Sequence, residues 1–378
     1  MRSIEEIRCD INTIDHEILQ LFLKRMHCSE EVCDYKRVHG GPVLVPAREE
    51  ELLQTMLQDI PEELKLEYTS LLRTTTRVSR KHQYCRMLEK DPERLHLDLH
   101  ARIEQPQIVY YGGLPASYAE MACKDLFPQA KRCAMSCWDA VFCAVANGEA
   151  DVGVVPLENS TAGTVDEIYD LLHQYGLSIM HSYIKPIRHC ISGCKGVSLH
   201  SISDVYSHPQ ALRQCQNYIH SHGYHAIVES NTAVAAQKVA QLCDLSKAAI
   251  CSEAAAELYG LTVLQSSIND VDCNETRFIA VTRSLSAQKQ DTRVSIVLTL
   301  PHVVGSLDRT LAIFSDYGVN MTEIHSRPLR DMPWNYCFYI DFDGNLLDLN
   351  TRTLIYQLSQ ECSFIRVLGS YPVSQEES

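Results

Sequence analysis

Between residues 2 and 38, Ile4, Ile7, Ile11, Ile14, Ile18, Leu21, Arg25, Cys28, Val32 and Tyr35 follow one another at steps of three and four. That is the seam of a long helix packed against other helices. Gly40-Gly41-Pro42 stops it. Such a helix cannot bury its stripe on itself, so the pattern calls for partner helices or a second subunit. A second helix is predicted from Pro46-Ala47, where proline suits a first helical position, through Leu52, Leu53, Met56 and Leu57. A third starts at Pro61 and carries Leu64, Tyr68, Leu72, Val78 and Leu88. Residues 89–107 are charged, hold Pro92 and Pro106, and read as a linker with one helical turn.

From residue 108 the rhythm changes to short apolar runs alternating with helical stretches. Ile108 to Tyr111 is a strand, and the glycine-containing turn Gly112-Gly113-Leu114-Pro115 leads into a helix. The centre of this region is Val154-Val155-Pro156-Leu157-Glu158-Asn159-Ser160-Thr161-Ala162-Gly163-Thr164-Val165. Val152 to Val155 reads as a buried strand that Pro156 ends, because proline has no N–H for a sheet ladder. Glu158, Asn159, Ser160 and Thr161 are expected to cap a helix running from about Val165 through Ile168, Leu171 and Leu172. A strand end that feeds polar groups toward a helix N-terminus is where open α/β sheets bind small anions, although an ordinary capped turn has the same pattern. After a strand at 177–180, residues 187–191 enter a second α/β lobe. There Ser207-His208-Pro209-Gln210 and Glu229-Ser230-Asn231-Thr232-Ala233 repeat the strand-to-helix turn. His208 is either a general base or a loop histidine that orders the helix start beside Pro209. Asn274-Glu275-Thr276-Arg277-Phe278-Ile279-Ala280-Val281 closes the region as a strand with a polar start, Thr276 and Phe278 on one side and Arg277 on the other. A second polar linker covers 284–291. The remainder reads strand, helix, strand, strand, helix, strand, which is the ferredoxin-like order. The expected fold class is therefore multidomain: an all-α segment over 1–90, a two-lobed α/β segment over 105–284, and an α+β segment over 292–372.

A length of 378 residues suits two or three domains. A formal net charge of −14 argues against nucleic acid or an anionic membrane as partner, so an anionic ligand would need a local cluster of cations. Met1-Arg2-Ser3-Ile4-Glu5-Glu6 has no apolar signal core, and no apolar run approaches the roughly 18 residues of a membrane span. A soluble, cytoplasmic chain is expected, with its 16 cysteines as free thiols. Cys133-x3-Cys137 and Cys190-x3-Cys194, the latter beside His189, touch metal-ligand spacing. In the absence of any CxxC pair, buried small hydrophobes are expected rather than a metal site, and no cofactor is called for.

The cation cluster has a candidate. Arg25 sits in the apolar seam, and a buried guanidinium needs an anionic partner. Lys36, eleven residues on, comes back to the same side of the helix within about 20°, whereas Arg8 is displaced by about 100°. Arg25 and Lys36 can face one anion while Arg8 faces another; all three are otherwise surface charges with packed stems. Ser79 and Gln83 share a face of the third helix.

Long helix, two shorter helices, and Arg8, Arg25, Lys36, Arg48, Glu49, Ser79 and Gln83 at these spacings resemble the all-helical chorismate mutases. The resemblance implies a homodimer with interleaved long helices, in which the arginine matching Arg8 enters the partner's site. Where that family has an acidic residue this chain has Val45, which leaves Glu49 as the contact for the substrate hydroxyl. Chorismate is a dicarboxylate, so bidentate arginines suit it. Its pericyclic rearrangement to prephenate requires only a held conformer and hydrogen bonds to the ether oxygen, with Lys36 and Gln83 as donors.

"GGLPASYAE", "VVPLENSTAGTV", "SHPQAL" and "NETRF" resemble, in order, the motifs of the prephenate dehydratases. Ala116 and Ala119 stand where that family has glycine and serine, and a methyl at 116 restricts positive φ. The resemblance makes Thr276 the essential residue. It places Ser117, Tyr118, Glu158, Asn159, Ser160, Thr161, Thr232, Arg277 and Phe278 around prephenate. Decarboxylation supplies the electrons, so an acid that helps hydroxide leave is needed more than a base. Arg277 is a candidate carboxylate ligand that strand alternation turns away from Thr276.

Gly305-Ser306-Leu307 and His325-Ser326-Arg327-Pro328 look like the motifs of the phenylalanine-sensing ACT domain, with His325 in place of the usual glutamate. Taken together, the chain resembles the bifunctional chorismate mutase/prephenate dehydratases, subject to phenylalanine feedback. The rival from another class is a ligand-sensing regulator with a helical dimerisation module.

Overall fold

The computed structural model describes residues 2–271, 273–328 and 336–376. Residues 329–335, within the expected regulatory segment, lie outside them. The chain divides into two compact units, one of Met1–Asp98 with Val297–Arg366, the other of Leu99–Ile296 with Val367–Ser378.

The first unit opens with helix α1, Ile4–His39, started by a reciprocal capping box between Ser3 and Glu6. Helix α2, Pro46–Leu57, has Pro46 in its first turn and Val45 at its N-cap. Helix α3 spans Lys65–Lys90, and the linker after it holds the expected single turn, Pro92–Arg94. Only Ser29 and Cys33 of α1 are buried. Neither is a predicted seam position: each follows one, Cys28 and Val32, which are exposed together with Tyr35. Helix α1 thus meets α3 along the line one residue past the seam, where Ser29 Oγ donates to the Ser79 carbonyl at 3.3 Å. The amino-terminal half of the seam, Ile4, Ile7, Ile11, Ile14, Ile18 and Leu21, is exposed.

The second unit begins with β1 (Ile108–Gly112), α4 (Tyr118–Leu126), β2 (Lys131–Met135), α5 (Trp138–Asn147), β3 (Val152–Asn159), β4 (Gly163–Thr164), α6 (Asp166–Tyr175) and β5 (Ser178–Pro186). The chain then crosses into β6 (Cys190–Gly193), β7 (Asp204–Ser207), α7 (Pro209–Gln214), α8 (Gln216–His222), β8 (His225–Val228), α9 (Thr232–Leu242), β9 (Lys247–Cys251), α10 (Glu253–Leu258) and β10 (Thr262–Gln265), and returns as β11 (Glu275–Thr282). One lobe has strand order β5-β11-β3-β1-β2, the other β10-β6-β9-β7-β8. This is the two-lobed α/β layout. Each lobe has its own apolar core, one around Val109, Val152, Val154 and Phe278, the other around Ala233, Ala236, Ala249 and Ala256.

Pro156 does not end its strand: β3 continues to Asn159. The reason is a register shift against β11, where Arg277 pairs with Glu158 and Phe278 with Pro156, leaving Leu157 as the extra residue. A bulge beside the proline absorbs its missing donor. The cysteine pairs also part company with expectation, since Cys190 and Cys194 are buried but Cys133 is half-exposed and Cys137 exposed.

The carboxyl-terminal segment holds β12 (Arg293–Thr299), α11 (Ser306–Asp316), β13 (Met321–Pro328), β14 (Tyr336–Asp343), α12 (Leu349–Glu361) and β15 (Phe364–Tyr371), followed by β16 (Val373–Gln375). Its strands lie in the order β13-β14-β12-β15, which is the order of a split βαβ fold. Among the described residues no helix is long and apolar enough to cross a membrane.

Candidate active sites

In the first unit, the charged seam position of α1 meets the polar face of α3. Arg25 Nη1 donates to the Thr75 carbonyl at 3.1 Å and also to the Ser79 hydroxyl. Gln83 Nε2 donates to Ser29 Oγ at 3.0 Å. Lys36 Nζ donates to the Val43 carbonyl at 3.1 Å, on the loop before α2. Ser79 and Gln83 are buried. Burial depresses both the Arg25 guanidinium and the Lys36 ammonium, and the Glu49 carboxylate opposes that in each case. Glu49 is thus close enough for its charge to act on both cations. Arg25, Lys36, Glu49, Ser79 and Gln83 therefore gather in one place. Arg48 instead points to solvent and pairs with Glu51 at 2.8 Å. Arg8 is exposed and lies about 25 Å along α1 from Arg25, at 1.5 Å per residue.

In the second unit the centre is Asn159, at the end of β3. The register that sets Asn159 opposite Thr276 lets its amide nitrogen donate to Thr276 Oγ1 and Asn274 Oδ1, both at 3.0 Å, and to the Glu275 carbonyl at 2.9 Å. Its Oδ1 accepts from the Thr161 and Ala162 N–H groups at 3.1 and 3.0 Å. Asn159 and its neighbours thus close their own turn and do not cap α6, whose N-cap, Val165, makes no side-chain cap bond. Ser160 ties the same turn to β11, accepting from the Glu275 N–H at 2.9 Å.

Gln214, at the end of α7, extends the network. Its Nε2 donates to Thr161 Oγ1 at 2.6 Å and Asn274 Oδ1 at 3.2 Å, and its Oε1 lies 3.1 Å from His189 Nε2. The Tyr118 hydroxyl donates to the Arg188 carbonyl at 2.6 Å and lies 3.3 Å from His189 Nδ1. Burial pushes His189 down to about 4, so it is neutral at pH 7. His208 is also lowered, by burial and then by Arg213. Its Nδ1 accepts from the Gln210 N–H at 3.2 Å, which caps α7 and matches the helix-ordering role of the two weighed for it.

A cavity of about 340 Å³ opens between the lobes, with Tyr118, Asn159, His189, Gln214, Thr276 and Phe278 in its wall. Ser117, the N-cap of α4, and Thr232, the first residue of α9, also line it. Two helix N-termini are thereby turned toward the space, and such ends favour anions. Arg277 is turned away: its Nε donates to Ser182 Oγ and its Nη2 to the Tyr371 hydroxyl, both at 3.0 Å. Glu158, its register partner, alternates to the same face. Asn274, Gln214, His189 and Trp138 were not singled out by the sequence reading. Asn274 opens the "NETRF" stretch and Gln214 sits four residues after Gln210; His189 was noted only beside the Cys190-x3-Cys194 spacing, and nothing in the spacing marks Trp138, whose indole packs on Gly112.

Chemically, the first set offers fixed cations and amide donors around one carboxylate. The second offers a hydroxyl whose oxygen already accepts a hydrogen bond, so its hydrogen is available to the cavity. Among the described residues no group of His, Cys, Asp or Glu is placed to hold a metal ion.

Comparison with known proteins matches residues 7–84 to chorismate mutase type II and residues 109–286 to prephenate dehydratase. A bifunctional chorismate mutase/prephenate dehydratase of Enterobacter agglomerans is 30% identical over 97% of this chain and 95% of its own length. Arogenate dehydratase/prephenate dehydratase 1 of Arabidopsis thaliana is 35% identical over 70% of this chain and 72% of its own. The crystal structure of prephenate dehydratase in complex with L-Phe from Arthrobacter aurescens superposes with a TM-score of 0.66 at 29% identity, covering 70% of this chain and 90% of that one.

Proposed function

We propose, from the premise that this chain belongs to the bifunctional chorismate mutase/prephenate dehydratase family, a division of its chemistry between the two clusters described above. The enzyme rearranges chorismate to prephenate, then removes carbon dioxide and the ring hydroxyl to give phenylpyruvate in phenylalanine biosynthesis. What carries the assignment of residues is the convergence of fixed cations around Glu49 in one unit and of the Asn159–Thr276 pair on a cavity in the other.

In the mutase, Arg25 grips one carboxylate and Arg48 leaves its exposed pairing with Glu51 to reach the other when substrate binds, while Lys36 and Gln83 donate to the ether oxygen as negative charge develops there. Glu49 accepts from the substrate hydroxyl, with Val45 beside it. Ser79 braces Arg25. Arg8 lies too far along α1 to join this site, so it serves the site of a second copy. The exposed stripe from Ile4 to Leu21 gives the apolar surface that a homodimer would bury.

In the dehydratase, the Thr276 hydroxyl hydrogen-bonds to the departing ring hydroxyl while the bond to carbon dioxide breaks and its electron pair moves into the ring. The hydroxide leaves as water with a proton supplied by solvent, and Thr276 keeps its own. Asn159, held by the Thr161 and Ala162 N–H groups in a turn that Ser160 ties to β11, fixes the Thr276 hydroxyl. Ser117 with Tyr118, and Thr232, present the α4 and α9 N-termini to the carboxylates, and Phe278 walls the ring. Arg277 and Glu158 act from the opposite face, as supports.

The carboxyl-terminal segment acts as an ACT domain that binds phenylalanine. Gly305, at φ +75°, lets the loop before α11 approach a ligand without a Cβ. Ser306 and Leu307 begin the helix, and His325, Ser326, Arg327 and Pro328 supply the strand side of the site. Val303 and Val304 stand exposed beside the loop, as a site completed by a second copy would require.

Incubating the purified full chain with chorismate, with and without phenylalanine, tests all of this. Prephenate followed by phenylpyruvate, with dehydration slowed by phenylalanine, is expected. Phenylalanine binding without either product would support the regulator instead.

A further inference from the structure

Arg80 of α3 is buried and holds carboxylates from two directions. Its Nη1 donates to Glu49 Oε1 of α2 at 2.5 Å. Its Nε and Nη2 form a bidentate pair with Glu361, the last residue of α12, at 2.9 and 3.2 Å. The Arg80 and Glu361 side chains are 11% and 9% exposed, so water does little to screen this pair. Gln357 Nε2 donates to Glu361 Oε1 at 3.1 Å, which fixes the far carboxylate in turn. Burial works against the guanidinium, but Glu361 and Glu49 more than offset it and raise Arg80 above its ordinary range. One turn earlier, Arg77 makes the same bidentate grip on Asp316, at 2.6 and 3.2 Å, with no second carboxylate paired to it among the described residues. Arg80 therefore does more than join α3 to the carboxyl-terminal segment. It spends one arm of a rigid fork on Glu49, whose charge acts on both Arg25 and Lys36.

We propose that Arg80 is a positioning residue for the mutase reaction, which orients the Glu49 carboxylate toward the substrate hydroxyl and is itself held in place by Glu361. The inference rests on the assignment of Glu49 as the contact for that hydroxyl. Lysine cannot reproduce it, because a single ammonium lacks the fork that spans two carboxylates in fixed directions. A misplaced Glu49 weakens a contact made in the ground state and the transition state alike, so KM for chorismate should rise while kcat changes little.

The test uses the full chain, with dehydratase kinetics on supplied prephenate as the control for folding. Arg80→Lys should raise the mutase KM about tenfold with kcat within threefold, and leave the dehydratase unchanged. Glu49→Gln should raise the same KM, and in the Arg80→Lys/Glu49→Gln double variant the two effects should not multiply. Should Arg80→Lys fail to fold, Glu361→Gln releases the far anchor without touching Glu49. It should raise the mutase KM severalfold and again not multiply with Glu49→Gln. An unchanged KM in Arg80→Lys and Glu361→Gln, or effects that multiply with Glu49→Gln, overturns the proposal. An unaltered mutase in Glu49→Gln overturns instead the assignment of Glu49.

Discussion

The two proposed sites would solve one problem, an anionic substrate, with different materials. In the assignment proposed above, the mutase pocket is built of permanent charge on helices: Arg25 and Lys36, on which the Glu49 charge acts, with Ser79 and Gln83 buried beside α1. The dehydratase cavity is built of amides and hydroxyls, and its two imidazoles are held neutral. The difference follows the chemistry. A pericyclic step moves no proton, so every group around it can carry a fixed charge and stabilise the polarised ether. Loss of hydroxide needs a hydrogen bond to the departing oxygen, and a hydroxyl in a neutral network can be oriented for that. The one arginine next to Thr276 in sequence is bonded on the opposite face of the sheet.

The comparison breaks most directly at Thr276. Thr276→Val keeps the shape of the side chain and removes the donor. Dehydratase kcat on prephenate should fall about a thousandfold, while chorismate consumption is unchanged and prephenate accumulates. Thr276→Ser should keep part of the rate. Wild-type phenylpyruvate formation by Thr276→Val would mean that the neutral network has no special hydroxyl. The reciprocal change is next in size. Arg25→Ala should lower mutase kcat/KM about a hundredfold, the range for loss of one charged donor, with full dehydratase activity on supplied prephenate. Chorismate turnover within twofold of wild type would remove fixed charge as the principle of that pocket.

Legibility in the sequence follows the same division. A cation in an apolar helical seam is visible as a conflict with its neighbours, which is why Arg25 stood out and why Lys36 could be placed beside it by helical geometry. Neither inference required knowing the tertiary structure. The Asn159–Thr276 pair joins residues 117 apart, and no periodicity within either segment contains the register that brings them together. Only the resemblance pointed to Thr276. The bulge at Leu157 was hidden for a similar reason, because a proline signals a missing donor but not whether the strand stops or bends around it. His189 looks like a core residue from sequence, and its importance comes from lying between Tyr118 and Gln214, which arrive from different elements. Arg80 was passed over because both its partners lie outside α3.

A cavity lined by neutral imidazole should be sensitive to acid, which sharpens the contrast between the sites. His189 has a folded value near 4 against about 6.5 when unfolded, so the unfolded chain binds the extra proton between those limits. Its contribution to stability is complete above about pH 6.5 and is lost as pH falls toward 4. Between pH 7 and pH 5 the loss from this residue is about 2 kcal/mol. Denaturant titrations of wild type and His189→Gln at the two pH values check it, following the second unit. Wild type should lose about 2 kcal/mol more than the variant over that interval, and equal losses would show that His189 is not held neutral.

The smallest expected effect concerns the loop before α4, where the dehydratase cavity carries a strain that the mutase pocket lacks. Among the described residues, the non-glycine residues with positive φ are Ala116, Cys243 and Ser267, all in the second unit. Ala116 takes φ +63° where relatives of this chain were expected to have glycine, so the methyl does not prevent the left-handed turn. Two bonds hold it there: its N–H donates to Glu120 Oε2 at 2.5 Å, and its carbonyl accepts from Ser252 Oγ at 3.2 Å. Ala116→Gly should relieve about 1–2 kcal/mol of backbone strain. Against that stand the loss of a buried methyl, about 0.8 kcal/mol, and the greater freedom of glycine in the unfolded chain, about 0.5–1 kcal/mol. The terms nearly cancel, and the melting temperature should move by no more than about 2 °C. With the turn still pinned by Glu120 and Ser252, dehydratase kcat/KM should stay within twofold. A stabilisation above about 1 kcal/mol would show that the methyl contributes little to the core beside it. A large fall in kcat/KM at unchanged melting temperature would show instead that the methyl fixes the loop which sets Ser117 and Tyr118 at the edge of the cavity.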